Sequence, residues 1–185
     1  MNISPLTKSA KEKWQAQNFL GAEKDFLMAL QKSCIDHYAY FCFGNLKYEE
    51  GDLYAAIENY TKSIKYYKED ENSYLNRGNA KFKINDYLGS IKDYRKSLDL
   101  NQKSYVALNN MGVSKFKLRK YRSALKDFKK AIKLNPQNYN SFYNKSITHF
   151  KLKEFKKACI DLKKSIKLGK EVFKEEFSQI CFKNF

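Results

Sequence analysis

The chain has 185 residues, of which 43% are hydrophobic and 16% aromatic, so it can bury a core and is not a disordered chain. It shows neither an apolar run of about 20 residues nor a secretion signal in its first thirty residues, so we expect no membrane span and a cytoplasmic location. The formal charge of +16 is unevenly distributed along the chain. Residues 1–70 carry nine Lys and Arg against ten Asp and Glu (net −1), and residues 71–185 carry 27 against ten (net +17), which can indicate an anionic partner.

The chain is predicted to consist of paired helices. The first helix is expected to begin at Ser4-Pro5, because serine caps a helix N-terminus and proline fits its first turn. Helical pairs such as 71–84 and 87–100 follow, and Pro136 marks a junction between two pairs. Short breaks within the pairs are predicted at Gly51-Asp52, Asn85-Asp86 and Arg119-Lys120.

Six positions recur every 34 residues over five copies, which is a very specific signal of an internal repeat. Three of these series contain only small residues and three contain large or aromatic ones. The small residues are expected to let the two helices of a pair approach closely, with an aromatic ring filling the adjoining gap. One small series is Ala10, Gly44, Gly78, Gly112 and Ser146, and one large series is Phe26, Tyr60, Tyr94, Phe128 and Leu162.

The period, the small residue after a large one in Phe43-Gly44 and Met111-Gly112, and Pro136 resemble the tetratricopeptide repeat family. The resemblance implies an all-α, right-handed superhelical solenoid, here a single domain over residues 1–185. We expect repeats at 3–36, 37–70, 71–104, 105–138 and 139–172, and a C-terminal capping helix at 171–185. The apolar face of that last helix either packs on the final repeat or docks a second copy of the protein, which would be self-association.

In this family the first helix of each repeat lines a concave groove that commonly holds a peptide of a partner protein. The resemblance therefore implies a scaffold for protein–protein interaction. An asparagine amide can bond the N–H and C=O of a peptide backbone together, whatever the peptide's sequence. The alternative is that asparagine is simply common in this chain. The candidate amides on the first helices are Asn45, Asn76, Asn79, Asn110 and Asn144.

A cationic strip is expected beside these amides at Lys83, Lys117 and Lys151, each seven residues after an asparagine of the repeat. Two turns of helix separate each pair, so both side chains point to about the same face. The strip favours an extended or helical partner segment that is acidic in part.

The rival function is lysine-mediated binding of nucleic acid or another anionic surface by the basic C-terminal half. Lysines on the second helices, such as Lys126, Lys129, Lys163 and Lys164, are expected to face outward. Only four of the 36 basic residues are arginine, the residue preferred for forked phosphate and base recognition, so nucleic acid is the less favoured partner.

No motif for catalysis, phosphate binding or metal binding is present, so we expect no enzyme activity, no cofactor and no metal. Cys34, His37 and Cys42 lack a fourth metal ligand nearby. The four cysteines are expected to be reduced thiols, buried or half-buried. His149 shares its repeat position with Lys47, Lys81 and Lys115, so it is interpreted as a surface substitution.

Overall fold

The computed structural model describes residues 3–171 and 181. These residues form ten α-helices and no strand, so the predicted all-α helical-repeat fold is confirmed. The helices are α1 (Pro5–Gln15), α2 (Phe19–Lys32), α3 (His37–Glu50), α4 (Leu53–Tyr66), α5 (Glu71–Lys83), α6 (Tyr87–Leu100), α7 (Tyr105–Lys117), α8 (Tyr121–Leu134), α9 (Tyr139–Lys151) and α10 (Phe155–Lys167).

The chain divides into two compact units, an N-terminal unit of residues 1–100 and a C-terminal unit of residues 101–185. In the N-terminal unit three helical hairpins, α1–α2, α3–α4 and α5–α6, stack in chain order. In the C-terminal unit the hairpins α7–α8 and α9–α10 do the same. Each hairpin buries its apolar face against its neighbour, as stacked repeats must.

In the three hairpins that carry a predicted glycine, an aromatic ring of the second helix lies against that glycine. A Cβ atom added to Gly44 would lie 2.7 Å from the Tyr60 ring, and one added to Gly112 would lie 2.6 Å from the Phe128 ring. Tyr60 and Phe128 are fully buried, so neither ring has room to move away. The predicted pairing of the glycine series with the aromatic series is therefore confirmed at the helix crossings.

The turn inside each hairpin places one residue in the left-handed backbone region. That residue is Gly51 in the second hairpin, with φ +85°, but Arg119 and Lys153 in the last two, with φ of 58° and 60°. The helix that follows begins with a capping carboxylate in some hairpins: Asp52 accepts a hydrogen bond from the Ala55 N–H. Lys120 at the equivalent position makes no side-chain cap.

A buried aspartate on the second helix of four hairpins pairs with a cation on the first. Asp93, 1% exposed, accepts hydrogen bonds from two of the three Arg77 side-chain nitrogens, Nε at 2.9 Å and Nη2 at 2.7 Å. The second hairpin has Asn59 at this position. The other pairs are Lys13–Asp25, Lys115–Asp127 and Lys145–Asp161.

His149 belongs to this ion-pair layer, so its interpretation as a surface substitution is wrong. The ring is only 4% exposed. Its Nδ1 lies 2.7 Å from Glu154 Oε2, and its Nε2 lies 3.6 Å from Asp161 Oδ2. At this repeat position Lys81 and Lys115 pair with the buried Asp93 and Asp127, whereas Lys47 pairs with Glu23 and Glu50. The histidine stands in the place of these lysines, beside Asp161.

The expectation of four reduced, buried or half-buried thiols is also wrong. Cys159 on α10 and Cys181 form a disulfide, with their Cα atoms 5.1 Å apart. Cys34 is a free, exposed thiol, and Cys42 is a free, buried one. Burial raises the pKa of Cys42 to about 11, which keeps it protonated at neutral pH.

Cys181 is helical, and Glu171 precedes the segment that the structure leaves undescribed. The predicted capping helix at 171–185, and the self-association assigned to it, otherwise lie outside the described residues. Within residues 3–171 and at 181, no helix is both long and apolar enough to cross a membrane.

Candidate functional site

A pocket of about 290 Å³ in the N-terminal unit lies among its three first helices. Trp14 comes from α1, Tyr48 and Glu49 come from α3, and the amides of α3 and α5 complete the wall. Trp14 Nε1 donates a hydrogen bond to Glu49 Oε2 at 2.7 Å, which joins α1 to α3 across the mouth of the pocket.

Asn45 and Asn76, both predicted ligand contacts, are joined in the back wall of this pocket. Asn76 Nδ2 donates to Asn45 Oδ1 at 2.9 Å, and the buried Tyr60 hydroxyl donates to the same oxygen at 2.7 Å. Asn79 Oδ1 accepts from the buried Tyr94 hydroxyl at 2.9 Å. The three amides thus satisfy buried polar groups as well as face the pocket, a role that sequence reasoning missed.

Lys83 extends from α5 over the Tyr48 ring, with its Nζ 4.2 Å from the ring centroid. This is a cation–π contact, in which the negative face of the ring attracts the ammonium. The predicted cationic strip therefore begins with a lysine whose ammonium is held on an aromatic ring of the pocket.

The C-terminal unit has a second pocket of about 290 Å³, and its wall is more apolar. Val113 and Phe116 come from α7, and Tyr143 and Ile147 come from α9. Lys117, a predicted site residue, stands at this pocket as its one charged lining residue. Lys151, the last of the strip, is exposed at the end of α9.

Asn110 and Asn144 are brought together through a residue that sequence reasoning missed. Asn144 Nδ2 donates to Asn109 Oδ1 at 3.1 Å, and Asn109 Nδ2 donates to Asn110 Oδ1 at 3.3 Å. The corresponding bond in the N-terminal unit joins Asn76 directly to Asn45. Val113 stands at the repeat position of Asn45, and this replacement is the signal that could have pointed to Asn109.

A metal centre is not assembled by the part of the chain that the structure describes, since no group of three or more His, Cys, Asp and Glu side chains is placed to hold an ion there. What the first helices offer is two pockets with aromatic, amide and a few charged groups.

Family models described as tetratricopeptide repeat match residues 71–104, 105–138 and 139–169, more than half of the chain. The chain belongs to the tetratricopeptide repeat family. The matches begin at Glu71, Tyr105 and Tyr139, where α5, α7 and α9 begin. The fold and the family together identify a protein–protein interaction scaffold of tetratricopeptide repeats.

Solved structures share this fold at low sequence identity. The crystal structure of MamA is 17% identical, with 91% of this chain and 96% of that chain covered and a TM-score of 0.84. YrrB, a tetratricopeptide repeat protein with an unusual peptide-binding site, is 18% identical over 91% and 87%, with a TM-score of 0.80. PilF of Pseudomonas aeruginosa is 16% identical over 90% and 76%, with a TM-score of 0.79. No curated protein sequence matches this chain.

Proposed function

We propose that this tetratricopeptide repeat protein is a non-catalytic scaffold that binds an extended or helical segment of a partner protein along its first helices. The observation that carries the proposal is the position of the pockets. Both lie among first helices, α1, α3 and α5 in the N-terminal unit and α7 and α9 in the C-terminal unit. The peptide-binding site of YrrB, a protein of the same fold, adds support by analogy.

The partner segment in this proposal is bound through its backbone by amides and through acidic side chains by lysines. Each amide oxygen or nitrogen that faces the pocket can add a bond to those it already makes inside the protein. Lys117, beside an apolar pocket, suits an acidic residue next to an apolar one. The proposed contacts are Asn45, Asn76, Asn79, Asn110, Asn144, Lys83, Lys117 and Lys151.

Site-specific photo-crosslinking tests where a partner binds. A photoreactive amino acid replaces Val113, in the pocket of the C-terminal unit, and a matched variant carries it at Ile160, which is 67% exposed on α10. We expect the same partner protein to be crosslinked from position 113 and not from position 160. Crosslinking from position 160 alone would contradict the proposed surface.

The identified partner then allows the amides to be tested. Replacing Asn76, Asn110 and Asn144 with alanine removes three neutral hydrogen bonds to the ligand, each worth about 0.5–1.5 kcal/mol. We expect affinity to fall by about ten- to a thousand-fold, measured by titration at a temperature where the variant is folded. Unchanged affinity in a folded variant would show that these asparagines only support the protein itself.

A second function is favoured by one specific observation, the charge of the second helices in the C-terminal unit. Helices α8 and α10 expose ten cations, and their two aspartates are buried in ion pairs. A single-sign surface of this kind suits a sequence-independent contact with nucleic acid or another anionic surface. The cations are Arg122, Lys126, Lys129, Lys130, Lys133, Lys156, Lys157, Lys163, Lys164 and Lys167.

Charge reversal separates the two functions. In one variant Lys126, Lys129, Lys163 and Lys164 become glutamate, and the matched control reverses Lys24, Lys68, Lys92 and Lys96, which are exposed lysines of the N-terminal unit. We expect binding of the crosslinked partner to change little in either variant, because exposed charges away from the pockets mainly steer the encounter. Loss of partner binding in the first variant alone would favour the anionic-surface function.

A further inference from the structure

The pocket of the N-terminal unit differs in chemistry from the one in the C-terminal unit. Its wall combines three aromatic side chains, Trp14, Tyr48 and Tyr60, with the carboxylate of Glu49 and three amides. The C-terminal pocket also has aromatic side chains, but it adds the aliphatic Val113 and Ile147, and its one charged lining residue is Lys117 instead of a carboxylate. The two pockets therefore suit different side chains of a bound segment.

Glu49 provides a negative charge that has no cation partner among the described residues. Its only hydrogen bond among the described residues is the one from the uncharged indole of Trp14. The neighbouring carboxylate is different, because Glu50 pairs with Lys47 at 3.0 Å, and Lys47 also pairs with Glu23 at 2.6 Å. No described lysine or arginine lies within ion-pair distance of Glu49, an exposed residue that lines the pocket.

The Tyr48 ring, next to Glu49 in the chain, already contacts an ammonium group. The ammonium of the exposed Lys83 lies over this ring, 4.2 Å from the centroid, and among the described residues Lys83 forms no ion pair that would hold it there. An aromatic face next to a carboxylate is an attractive site for a cation, since both attract positive charge and the indole holds the carboxylate in place.

Amide side chains form part of the wall of the pocket and provide hydrogen-bond acceptors. Asn45 Oδ1 is used by the Tyr60 hydroxyl and by Asn76 Nδ2, so the back wall is held by bonds between α3, α4 and α5. Asn76 also lines the pocket, and an amide oxygen can accept a hydrogen bond from an N–H donor. A rigid wall with an acceptor suits a ligand that carries several N–H groups.

We propose that this pocket binds the basic side chain, lysine or arginine, of the bound partner segment, with Glu49 as its counter-ion and Trp14 and Tyr48 as its aromatic walls. The inference rests on the proposed function, because the basic side chain arrives as part of a bound segment. It assigns to the N-terminal unit the opposite preference from the acidic one proposed beside Lys117. Lys83 competes with the incoming cation for the Tyr48 ring.

Selection from a library of random 12-residue peptides displayed on phage tests the inference on the full chain. The parent should enrich peptides with a basic residue at one fixed position of the consensus. This preference would oppose the formal charge of +16, which repels basic peptides in general, so it requires a local site. Glu49→Gln should lose the preference, whereas Glu58→Gln, which removes the same charge from an exposed position on α4, should keep it.

Binding of one selected peptide then measures the site. The peptide is compared with an analogue that carries norleucine in place of lysine, or citrulline in place of arginine, which also shows which cation is preferred. Trp14 is the one tryptophan of the chain, so its emission reports on this pocket directly. We expect the neutral analogue to bind about 10- to 100-fold more weakly to the parent and nearly equally well to Glu49→Gln.

The outcomes separate this inference from the proposed function. Enriched peptides without a basic consensus position, or a basic preference that survives Glu49→Gln, would overturn the inference and leave peptide binding standing. A library that yields no enriched peptide would contradict peptide binding itself, and the inference with it.

Discussion

Gly112 is a residue whose lack of a side chain allows α7 and α8 to cross closely. The fully buried Phe128 ring occupies the space where a Cβ atom would lie, at 2.6 Å. Leucine at this position has to move either the ring or a helix. The small-residue series seen in the sequence thus has a direct steric cause.

Replacing Gly112 with leucine is expected to lower the free energy of unfolding by about 1–3 kcal/mol, because overpacking forces strained side chains and backbone shifts. Urea denaturation followed by circular dichroism measures the change. Val113→Leu is the control, since Val113 lines an open pocket and has space for another methylene group. Equal stability of Gly112→Leu and the parent would show that the crossing is looser than described.

Asp25 is one of the buried aspartates described above, whose carboxylate on the second helix of a hairpin accepts hydrogen bonds from the first helix. The hydrogen bond from Lys13 at 2.6 Å, and then that from Ser9, hold the pKa of Asp25 below its ordinary value. A carboxyl whose pKa is lower in the folded state stabilises the protein above the pKa of the unfolded chain, about 3.9. That contribution disappears as the pH falls through the folded-state value.

Asp25→Asn is expected to cost about 1–3 kcal/mol at pH 7, the usual range for a hydrogen bond to a charged group. The difference from the parent should shrink as the pH is lowered from 4 towards 2. Urea titrations at several pH values give both quantities. Asp52→Asn changes charge equally but keeps a good helix cap, so it should cost little at any pH.

The turn differs in its left-handed residue between hairpins of similar length. Its left-handed residue is glycine in the second hairpin and arginine in the fourth, with φ of 85° and 58°. A side chain with a Cβ atom is disfavoured in that region by about 1 kcal/mol. The positions of Gly51 and Arg119 are equivalent in the repeat, so the two turns provide a natural comparison.

Arg119→Gly is expected to raise the free energy of unfolding by about 0.5–1 kcal/mol, because it removes the strain of the left-handed turn. The reciprocal variant, Gly51→Ala, should lower it by a similar amount, since a Cβ atom meets no neighbour there and only the backbone conformation is at issue. Thermal and urea denaturation of the two variants check these opposite signs.

The disulfide adds a covalent constraint between Cys159, in the first half of α10, and Cys181. It closes a loop between positions that are 22 residues apart, and a cross-link of that length stabilises by about 3 kcal/mol through the entropy of the unfolded chain. The expectation of free thiols assumes a reducing compartment. Disulfides persist mainly in oxidising compartments, so this bond argues against that assumption. The cytoplasmic location itself stays a prediction.

Cys159→Ser should therefore lower the melting temperature. The parent measured in a thiol reductant should melt at the same lowered temperature as Cys159→Ser. Cys34→Ser should melt like the parent, because Cys34 is exposed and unbonded. Mass spectrometry after thiol labelling without reductant should find two labelled cysteines in the unfolded parent. Four labelled cysteines would show that the bond does not form.

At the scale of the whole molecule, the 34-residue period was sufficient to predict the helices, their pairing and the glycine crossings. The period predicted incorrectly where residues at the same repeat position make different contacts in different hairpins. From its repeat position, His149 is interpreted as a surface residue that replaces a lysine. In the structure it is buried beside Asp161, and the spacing of hydrophobic residues does not reveal such a buried polar contact. The asparagines were placed on the right helices, but their bonds to buried tyrosines depend on side-chain geometry that spacing alone cannot supply.

Net charge is also a property of the whole molecule. A formal charge of +16 repels itself, and salt screens that repulsion more than it screens the buried ion pairs. Raising sodium chloride from 0.02 to 0.5 M, concentrations that span Debye lengths of roughly 20 to 4 Å, should raise the melting temperature by a few degrees. The variant with Lys126, Lys129, Lys163 and Lys164 reversed, which halves the charge, should respond less. A melting temperature that falls with salt in the parent would show that surface ion pairs dominate instead.

The disulfide also sets how the chain yields to a mechanical load. A tetratricopeptide hairpin pulled from its end can unravel and lengthen, but the 22-residue separation between Cys159 and Cys181 is bridged by a covalent bond. With the bond intact, those residues add almost nothing to the length under tension. With the bond reduced, they release about 75 Å of extended chain. A tether attached at the C-terminus would therefore be short and stiff in oxidising surroundings and longer and more compliant in reducing ones.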